Sequence, residues 1–240
     1  YDDGLIELDK PFSHYFPDWK NHPKKSKLTV RELLAHQGGI VPYIVYLNKV
    51  KKRNGKLKKR WVTNTPSDQY PTKAYEGIYI HKRFKSYVYR KARRSKHSDK
   101  TYRYSGLTFL MIPEVVERLS GKDFETFLKE NFFQNLGAKE LLFNPANQLP
   151  IERIVPTEKD SLFRKSLTRG WVHDENAALL GGVSGNAGLF ANTHSLLPVL
   201  QMLLNEGEYQ GQKFLEASTV ETFTQIQFKE NNNRRGLGFD

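Results

Sequence analysis

The stretch "TYRYSGLTFLMIPEVVERLSGKDFETFLKENFFQNLGAKELLFNP", residues 101–145, decides the fold because it contains the clearest helical patterns of the chain. Ser105 can cap a helix with apolar residues at helical spacing, and Gly121 can end it. Pro113 lies inside this pattern and predicts a kink, since proline removes a backbone donor. A second amphipathic helix is predicted over residues 123–135, so the stretch indicates a helical layer with one apolar side.

Three other segments have helix signals at their ends. Thr29 and Glu32 have capping-box spacing, and the pair Gly38–Gly39 can supply a left-handed stop. A helix over 193–207 is predicted with Thr193 as its cap, and Ser218 with Glu221 predicts another capping box.

The remaining segments are less regular. Pro11 and Pro17 interrupt residues 5–19, which predicts an extended surface segment rather than a helix. Residues 74–84 alternate enough to favour a short strand, residues 83–94 favour a helix, and Asn54-Gly55 is typical of a hairpin tip. The chain is therefore predicted to be mostly helical with short extended links.

Composition excludes several kinds of chemistry. The 240 residues include no cysteine, which excludes disulfides, thiolate catalysis and cysteine-ligated zinc. No apolar run is long enough to span a bilayer, and no H-E-x-x-H motif is present. The sequence therefore indicates no metal site and no cofactor.

The net charge of +12 is concentrated in one segment. Residues 49–100 hold 18 Lys and Arg against three acidic residues, a net charge of +15. This basic segment resembles an insertion, and its simplest interpretation is a solvated loop. Binding of nucleic acid or of an anionic cell-surface polymer are the alternatives, with nucleic acid disfavoured because no recognised motif accompanies the charge.

The glycine-rich stretch "GGVSGNAG", residues 181–188, matches neither a dinucleotide fingerprint nor a P-loop. It also misses the G-x-S-x-G nucleophile elbow, because Asn186 stands at the last glycine position. Ser184 is therefore interpreted as part of a tight glycine turn rather than as a nucleophile.

Four blocks in order carry a family resemblance: "GLIELDKPFSHYFPDW", "LTVRELLAHQGGI", the stretch from "YRYSGLTF" to "KELLF", and "VHDENAALLGGVSGNAGLFANTHSLL". Together they resemble the serine β-lactamase and penicillin-binding-protein-like family. They look most like the β-lactamase-related domain that some bacterial proteins carry behind a glycoside hydrolase family 3 domain. The resemblance covers nearly the whole chain and implies a single domain over residues 1–240.

The resemblance implies an α+β serine β-lactamase/transpeptidase-like fold, mainly helical in this chain. It also implies an acyl-enzyme mechanism, in which a neighbouring base activates a serine hydroxyl. Tyr104 matches the family's catalytic tyrosine, and Tyr102 is interpreted as packing. Ser105 and Gly106 follow in the same element, and the family places the loops with His173, Asp174 and Asn186 beside the active-site cleft. The resemblance therefore implies that all five residues bind substrate. Asp and Asn side chains in such a loop could instead form hydrogen bonds with the loop's own backbone.

The sequence departs from the family pattern in four ways. No serine has a lysine three residues later, and neither K-[ST]-G nor H-[ST]-G occurs. Gly106 stands where the family has Asn, and Asn186 stands where the subgroup often has His. We expect the chain to be a fragment that lacks the nucleophile, so the 240 residues alone are predicted to be inactive.

Two hypotheses follow from this comparison. In the first, the intact protein is a serine hydrolase of the cell envelope that acts on a cell-wall-derived peptide, amide or ester and is linked to a glycosidase domain. In the second, the domain has lost turnover and binds a cell-wall ligand beside that glycosidase.

Overall fold

The computed structural model describes residues 1–240 and shows an α+β protein with short sheets, as predicted. Its ten α-helices, α1 to α10 in chain order, are Phe12–Tyr15, Val30–Leu34, Leu47–Val50, Phe84–Arg94, Gly106–Phe109, Ile112–Ser120, Phe124–Leu128, Glu175–Leu179, Thr193–Leu204 and Ala217–Thr224. None of these helices combines the length and the apolar content that crossing a bilayer requires.

Nine short strands form four antiparallel sheets. In chain order β1 to β9 are Val62–Thr63, Thr72–Tyr75, Ile78–Ile80, Leu142–Phe143, Pro156–Asp160, Ser166–Arg169, Leu189–Phe190, Glu208–Tyr209 and Gln212–Lys213. One sheet has the order β1-β3-β2, and the others are the pairs β4-β7, β5-β6 and β8-β9.

The chain divides into two compact units. The first unit comprises Tyr1–Tyr43, Ala92–Leu141 and Ala191–Asp240, and the second comprises Ile44–Lys91 and Leu142–Phe190. Tyr104, Ser105 and Gly106 belong to the first unit, whereas His173, Asp174 and Asn186 belong to the second. A single domain over residues 1–240 stays a prediction.

The amino-terminal segment of the first unit is partly helical and buries its aromatic side chains, so the prediction of an extended surface segment is wrong. Phe12, Phe16 and Trp19 are fully buried, and the Phe12 ring centroid lies 5.6 Å from that of Phe16 and 5.4 Å from that of Trp19. Pro11 caps α1 and Pro17 begins a 3-10 helix. Proline is tolerated at such helix starts, where the missing N–H has no partner to lose.

The stretch 101–145 folds as helices, with one correction. Ser105 caps α5 by accepting a hydrogen bond from the Leu107 amide, as predicted. Pro113 kinks no continuous helix, because α5 ends at Phe109 and Pro113 lies in the first turn of α6. The second predicted helix forms as α7, which continues into one π-helical turn at Lys129–Phe133.

The predicted helix caps are confirmed in part. The capping box of Thr29 and Glu32 is present at the start of α2. The cap of α9 is Asn192 rather than Thr193, and its side chain accepts from the Ser195 amide. At α10 the predicted capping box of Ser218 is wrong, because the helix starts two residues earlier than that cap implies, at Ala217, and Glu216 occupies the cap position without a side-chain hydrogen bond.

Lys25 is a fully buried cation in the first unit. Its Nζ donates to the backbone carbonyls of Ala92, Arg93 and Ser95 at 2.6, 2.9 and 2.9 Å, and to the Ser95 hydroxyl at 2.8 Å. Burial lowers the pKa of Lys25 to about 8. The ammonium therefore closes the carboxyl-terminal end of α4, where carbonyls have no partner within the helix.

In the second unit the local predictions hold in part. Instead of the single short strand favoured over 74–84, residues 72–80 form the hairpin β2-β3, because the chain turns at Gly77, with φ of 63°. The helix predicted over 83–94 is α4. Gly55, with φ of 80°, lies in the predicted hairpin tip, which an isolated bridge between Lys51 and Leu57 closes. Tyr46 is buried in this unit and donates its hydroxyl hydrogen to the Val88 carbonyl at 3.1 Å.

Candidate active site

Tyr104 is the most exposed member of a cluster of side chains in the first unit. It is 55% exposed, and its ring centroid lies 4.5 Å from that of His36. The Arg235 guanidinium lies 5.3 Å from the same ring, within the range of a cation–π contact. The ring of Tyr104 is thus held by two neighbours although its surface is open to solvent.

His36 is the buried support of this cluster. Its Nδ1 accepts a hydrogen bond from the Ser105 amide at 3.1 Å, and its carbonyl accepts from the Arg103 amide at 2.9 Å. Burial, followed by the nearby Arg235, lowers the pKa of His36 to about 4, against an opposing effect of the Asp240 carboxylate. The imidazole is therefore neutral at pH 7 and, because Nδ1 accepts, is assigned its proton on Nε2.

The backbone of His36 explains how α2 ends beside Tyr104. His36 adopts φ of 56°, a left-handed conformation that terminates the helix two residues before Gly38. The predicted glycine stop is thus shifted to His36, while Gly39, with φ of 62°, continues the turn. A β-carbon on Gly39 would lie 2.5 Å from the Asp99 carbonyl oxygen, so only glycine fits there.

Ser105 and Gly106, the two residues after Tyr104, are hydrogen-bonded to the segment that follows this turn. Ser105 is 2% exposed, and its hydroxyl donates to the Val41 carbonyl at 2.8 Å while accepting from the Leu107 amide. The Gly106 amide donates to the Pro42 carbonyl at 3.2 Å. Both residues have structural contacts here, and their binding of substrate stays a prediction.

Arg235 reaches Tyr104 through a tethered loop. Its Nε donates to the Tyr102 hydroxyl at 3.0 Å, and its terminal nitrogen donates to Asp240 at 2.9 Å. Asn233 holds the loop by donating to the carbonyl of Ala35 at 2.8 Å. Tyr102, interpreted as packing, therefore orients the guanidinium that contacts Tyr104.

The other predicted site residues lie in loops of the second unit. His173 is exposed, and its Nδ1 lies 3.2 Å from a Glu158 oxygen. Asp174 caps α8 by accepting a hydrogen bond from the Ala177 amide at 2.7 Å. This is the bond to the loop's own backbone that the sequence offered as an alternative to substrate binding. Asn186 accepts a hydrogen bond from the Ser184 hydroxyl at 2.7 Å. Substrate binding by these three residues stays a prediction.

Two further features of the molecule bear on the site. No group of three or more His, Asp or Glu side chains is placed to hold a metal ion. A cavity of about 430 Å³ in the first unit has Phe127, Phe132 and Phe223 among its lining residues and includes none of the predicted site residues.

The Beta-lactamase family model matches residues 1–240. The chain belongs to the β-lactamase family. Among curated relatives, the "Putative D-alanyl-D-alanine carboxypeptidase" of Escherichia coli K12 is 26% identical over 243 residues, covering 92% of this chain and 50% of the relative. The N-acetylmuramyl-L-alanine amidase of Bacillus subtilis 168 is 26% identical over 242 residues, covering 92% and 49%.

Solved structures show the same fold. A penicillin binding protein from Bacillus halodurans superposes with a TM-score of 0.60 at 17% identity, covering 99% of this chain and 63% of that one. The D-amino acid amidase of Ochrobactrum anthropi SV3 gives a TM-score of 0.55 at 19% identity, covering 93% and 55%. The predicted β-lactamase-like fold is confirmed, and this β-lactamase-family chain spans about half the length of the curated relatives it matches.

Sequence reasoning missed His36, Arg235 and Asn233 as parts of the Tyr104 cluster. The signal for His36 was its place in "HQGG", between the predicted capping-box helix and the two glycines that were predicted to end it. Nothing in "NNNRRG" marks Arg235 or Asn233, because their roles depend on contacts with residues more than 100 positions away.

Proposed function

We propose that this chain is part of a serine hydrolase of the β-lactamase family, in which Tyr104 assists proton transfer in an acyl-enzyme reaction. The observation that carries the proposal is the placement of Tyr104. Its ring is exposed, while the next residue, Ser105, is held by three hydrogen bonds, to His36, Val41 and Leu107. A catalytic phenol needs this combination of access to substrate and fixed position.

The nucleophile is proposed to lie outside residues 1–240. A serine activated by lysine in S-x-x-K is absent from the 240 residues. The serines nearest the predicted site residues are engaged elsewhere, since Ser105 caps a helix and Ser184 donates to Asn186. The chain spans about half the length of its curated relatives, which leaves room for the missing pair in a longer protein.

We place the substrate among cell-wall-derived peptides, amides and esters, in a protein of the cell envelope. The names of the curated relatives, a carboxypeptidase for D-alanyl-D-alanine and an amidase for N-acetylmuramyl-L-alanine, support this class. A linked glycosidase domain remains part of the proposal and rests on the resemblance of the sequence blocks.

The experiment compares covalent labelling of the whole gene product by a fluorescent penicillin and by a fluorophosphonate. Tyr104→Phe is expected to slow labelling by about 100-fold or more, since a positioned proton-transfer group contributes roughly 10² to 10⁴ in rate. The matched control is Tyr79→Phe, which removes a hydroxyl that forms no hydrogen bond in the second unit and should change the labelling rate by only about twofold or less.

The 240-residue chain alone should show no labelling by either reagent. Modification of any of its serines, found by mass spectrometry, would contradict the placement of the nucleophile. Failure of the whole gene product to label, together with binding of muropeptide measured by calorimetry, would favour the non-catalytic hypothesis. The substitutions at the positions of Gly106 and Asn186 are the sequence features that favour this second function.

A further inference from the structure

The last two residues of α3 and the hairpin after it carry a high density of positive charge that no carboxylate neutralises. We call residues 49–60 the basic hairpin; it holds eight Lys and Arg and no acidic residue. Of the cations between residues 49 and 80, Lys73 has an ion pair, with Glu76, whereas none of the eight in the basic hairpin lies within 4.0 Å of a carboxylate. The hairpin therefore carries eight basic side chains with no carboxylate partner.

The backbone holds these cations close together. The hairpin is closed by the bridge between Lys51 and Leu57, by the Lys52 amide donating to the Lys56 carbonyl at 2.8 Å, and by the Lys58 amide donating to the Val50 carbonyl at 2.8 Å. Like charges confined in this way repel one another, because solvent screens them only in part. A bound polyanion would relieve that repulsion.

Four of the cations surround one open concavity. It measures about 580 Å³ and is lined by Asn48, Lys51, Lys52, Arg53 and Lys58. Lys58 is kept in place because its Nζ donates to the carbonyls of Asn48 and Lys49 at 3.2 and 3.0 Å. An ammonium has three donors, so one donor of Lys58 is left for a ligand.

The aromatic residues beside the hairpin are already covered by cations. Lys49 Nζ lies 5.4 Å from the Trp61 ring and 4.9 Å from the Tyr87 ring, and Arg60 lies 5.8 Å from Trp61. No large apolar side chain between residues 49 and 100 is exposed. Stacking of bases requires open aromatic faces, and insertion into a membrane requires exposed apolar side chains, so the surface lacks both.

We propose that the basic hairpin binds a linear phosphodiester polymer without bases, such as a polyol phosphate. Recognition is by charge: Lys and Arg replace the counterions of successive phosphates, and release of those counterions favours binding. The proposal goes beyond the catalytic role of Tyr104 and does not depend on it, since all members of the site belong to the second unit.

The test titrates the full chain with poly(glycerol phosphate) and measures the dissociation constant at about 50 and about 200 mM salt. Affinity is expected to fall by about tenfold or more between these conditions, as expected for multiple phosphate contacts. The variant Lys51→Gln/Lys52→Gln/Arg53→Gln should bind the polymer with about tenfold lower affinity at the lower salt concentration. The single variant Arg53→Gln changes one exposed side chain that forms no hydrogen bond, so the fold should stay intact. Its affinity for the polymer should fall by about twofold to threefold.

The matched control is Lys20→Gln/Lys27→Gln/Lys139→Gln, which removes three exposed charges from the first unit and should change affinity by less than about threefold. A flat salt response, or an equal loss in the control, would overturn the proposal. Tighter binding of oligo(dT) would assign the surface to nucleic acid instead. Tighter binding of vesicles containing phosphatidylglycerol would assign it to the membrane.

Discussion

His36 is a buried histidine whose ring accepts a hydrogen bond instead of carrying a charge. Its Nδ1 takes the Ser105 amide hydrogen, and its ring lies against both Tyr104 and Phe109. Protonation would place a second hydrogen on Nδ1, which faces a donor, and would set a new cation near Arg235. The orientation of Tyr104 therefore depends on His36 being neutral.

This dependence predicts a loss of stability in acid. The pKa of His36 is about 4 in the folded chain and near 6.5 when unfolded, so between these values the unfolded chain binds a proton that the folded chain does not. The free energy of unfolding should fall by about 3 kcal/mol as the pH decreases from 7 to 4 because of this group alone. Urea denaturation at a series of pH values measures the fall.

The variant His36→Asn isolates this contribution. Asparagine tolerates the positive φ of position 36, and its carbonyl oxygen can accept a hydrogen bond, but it does not titrate. The wild-type chain should lose about 3 kcal/mol more than the variant over the same pH range. Parallel pH profiles for the two proteins would show that His36 does not control the acid response.

At the scale of elements, α2 is short and depends on its cap. Five residues, Val30–Leu34, form the helix, and the Thr29 and Glu32 side chains exchange hydrogen bonds with each other's amides at 3.1 and 2.9 Å. An isolated helix of this length is unstable in water, so the cap and the burial of Val30 and Leu33 have to hold it.

Thr29→Ala is expected to reduce the free energy of unfolding by about 1 kcal/mol, because the Glu32 amide at the helix start loses its side-chain partner. The measurement is urea denaturation at pH 7. Thr65→Ala is the matched control: Thr65 is exposed and forms no side-chain hydrogen bond, so its loss should change stability by less than about 0.5 kcal/mol. Equal effects of the two substitutions would mean that the capping box stabilises nothing.

Elements were predictable wherever the signal was local. The capping box at Thr29, the cap at Ser105 and the Asn54-Gly55 turn all depend on neighbours within a few residues. Errors arose where two neighbouring residues could serve equally, as for Thr193 and Asn192, or where proline begins a helix instead of interrupting one, as at Pro11. The π-helical turn after α7 has no sequence signature that separates it from an α-helix.

At the scale of the whole molecule, the family was predictable because several sequence blocks keep the same order. The surroundings of Tyr104 were not, because contacts between positions 36, 104 and 235 arise only when distant segments meet. Sequence patterns therefore identified Tyr104 as a site residue, but they did not identify His36 and Arg235, the side chains that contact its ring.

The four hydrogen bonds of the Lys25 ammonium at the end of α4, called here the Lys25 clasp, have a consequence for chemical modification. An amine that is fully buried and bonded to four oxygens can react with an acetylating reagent only after its surroundings open. In brief acetylation followed by mass spectrometry, Lys25 should react more than about tenfold more slowly than the exposed Lys24 and Lys27. Equal rates at the three positions would show that the clasp opens freely. A slow rate would make Lys25 an internal reporter, within a single native chain, of how often the packing around Trp19 and the end of α4 comes apart.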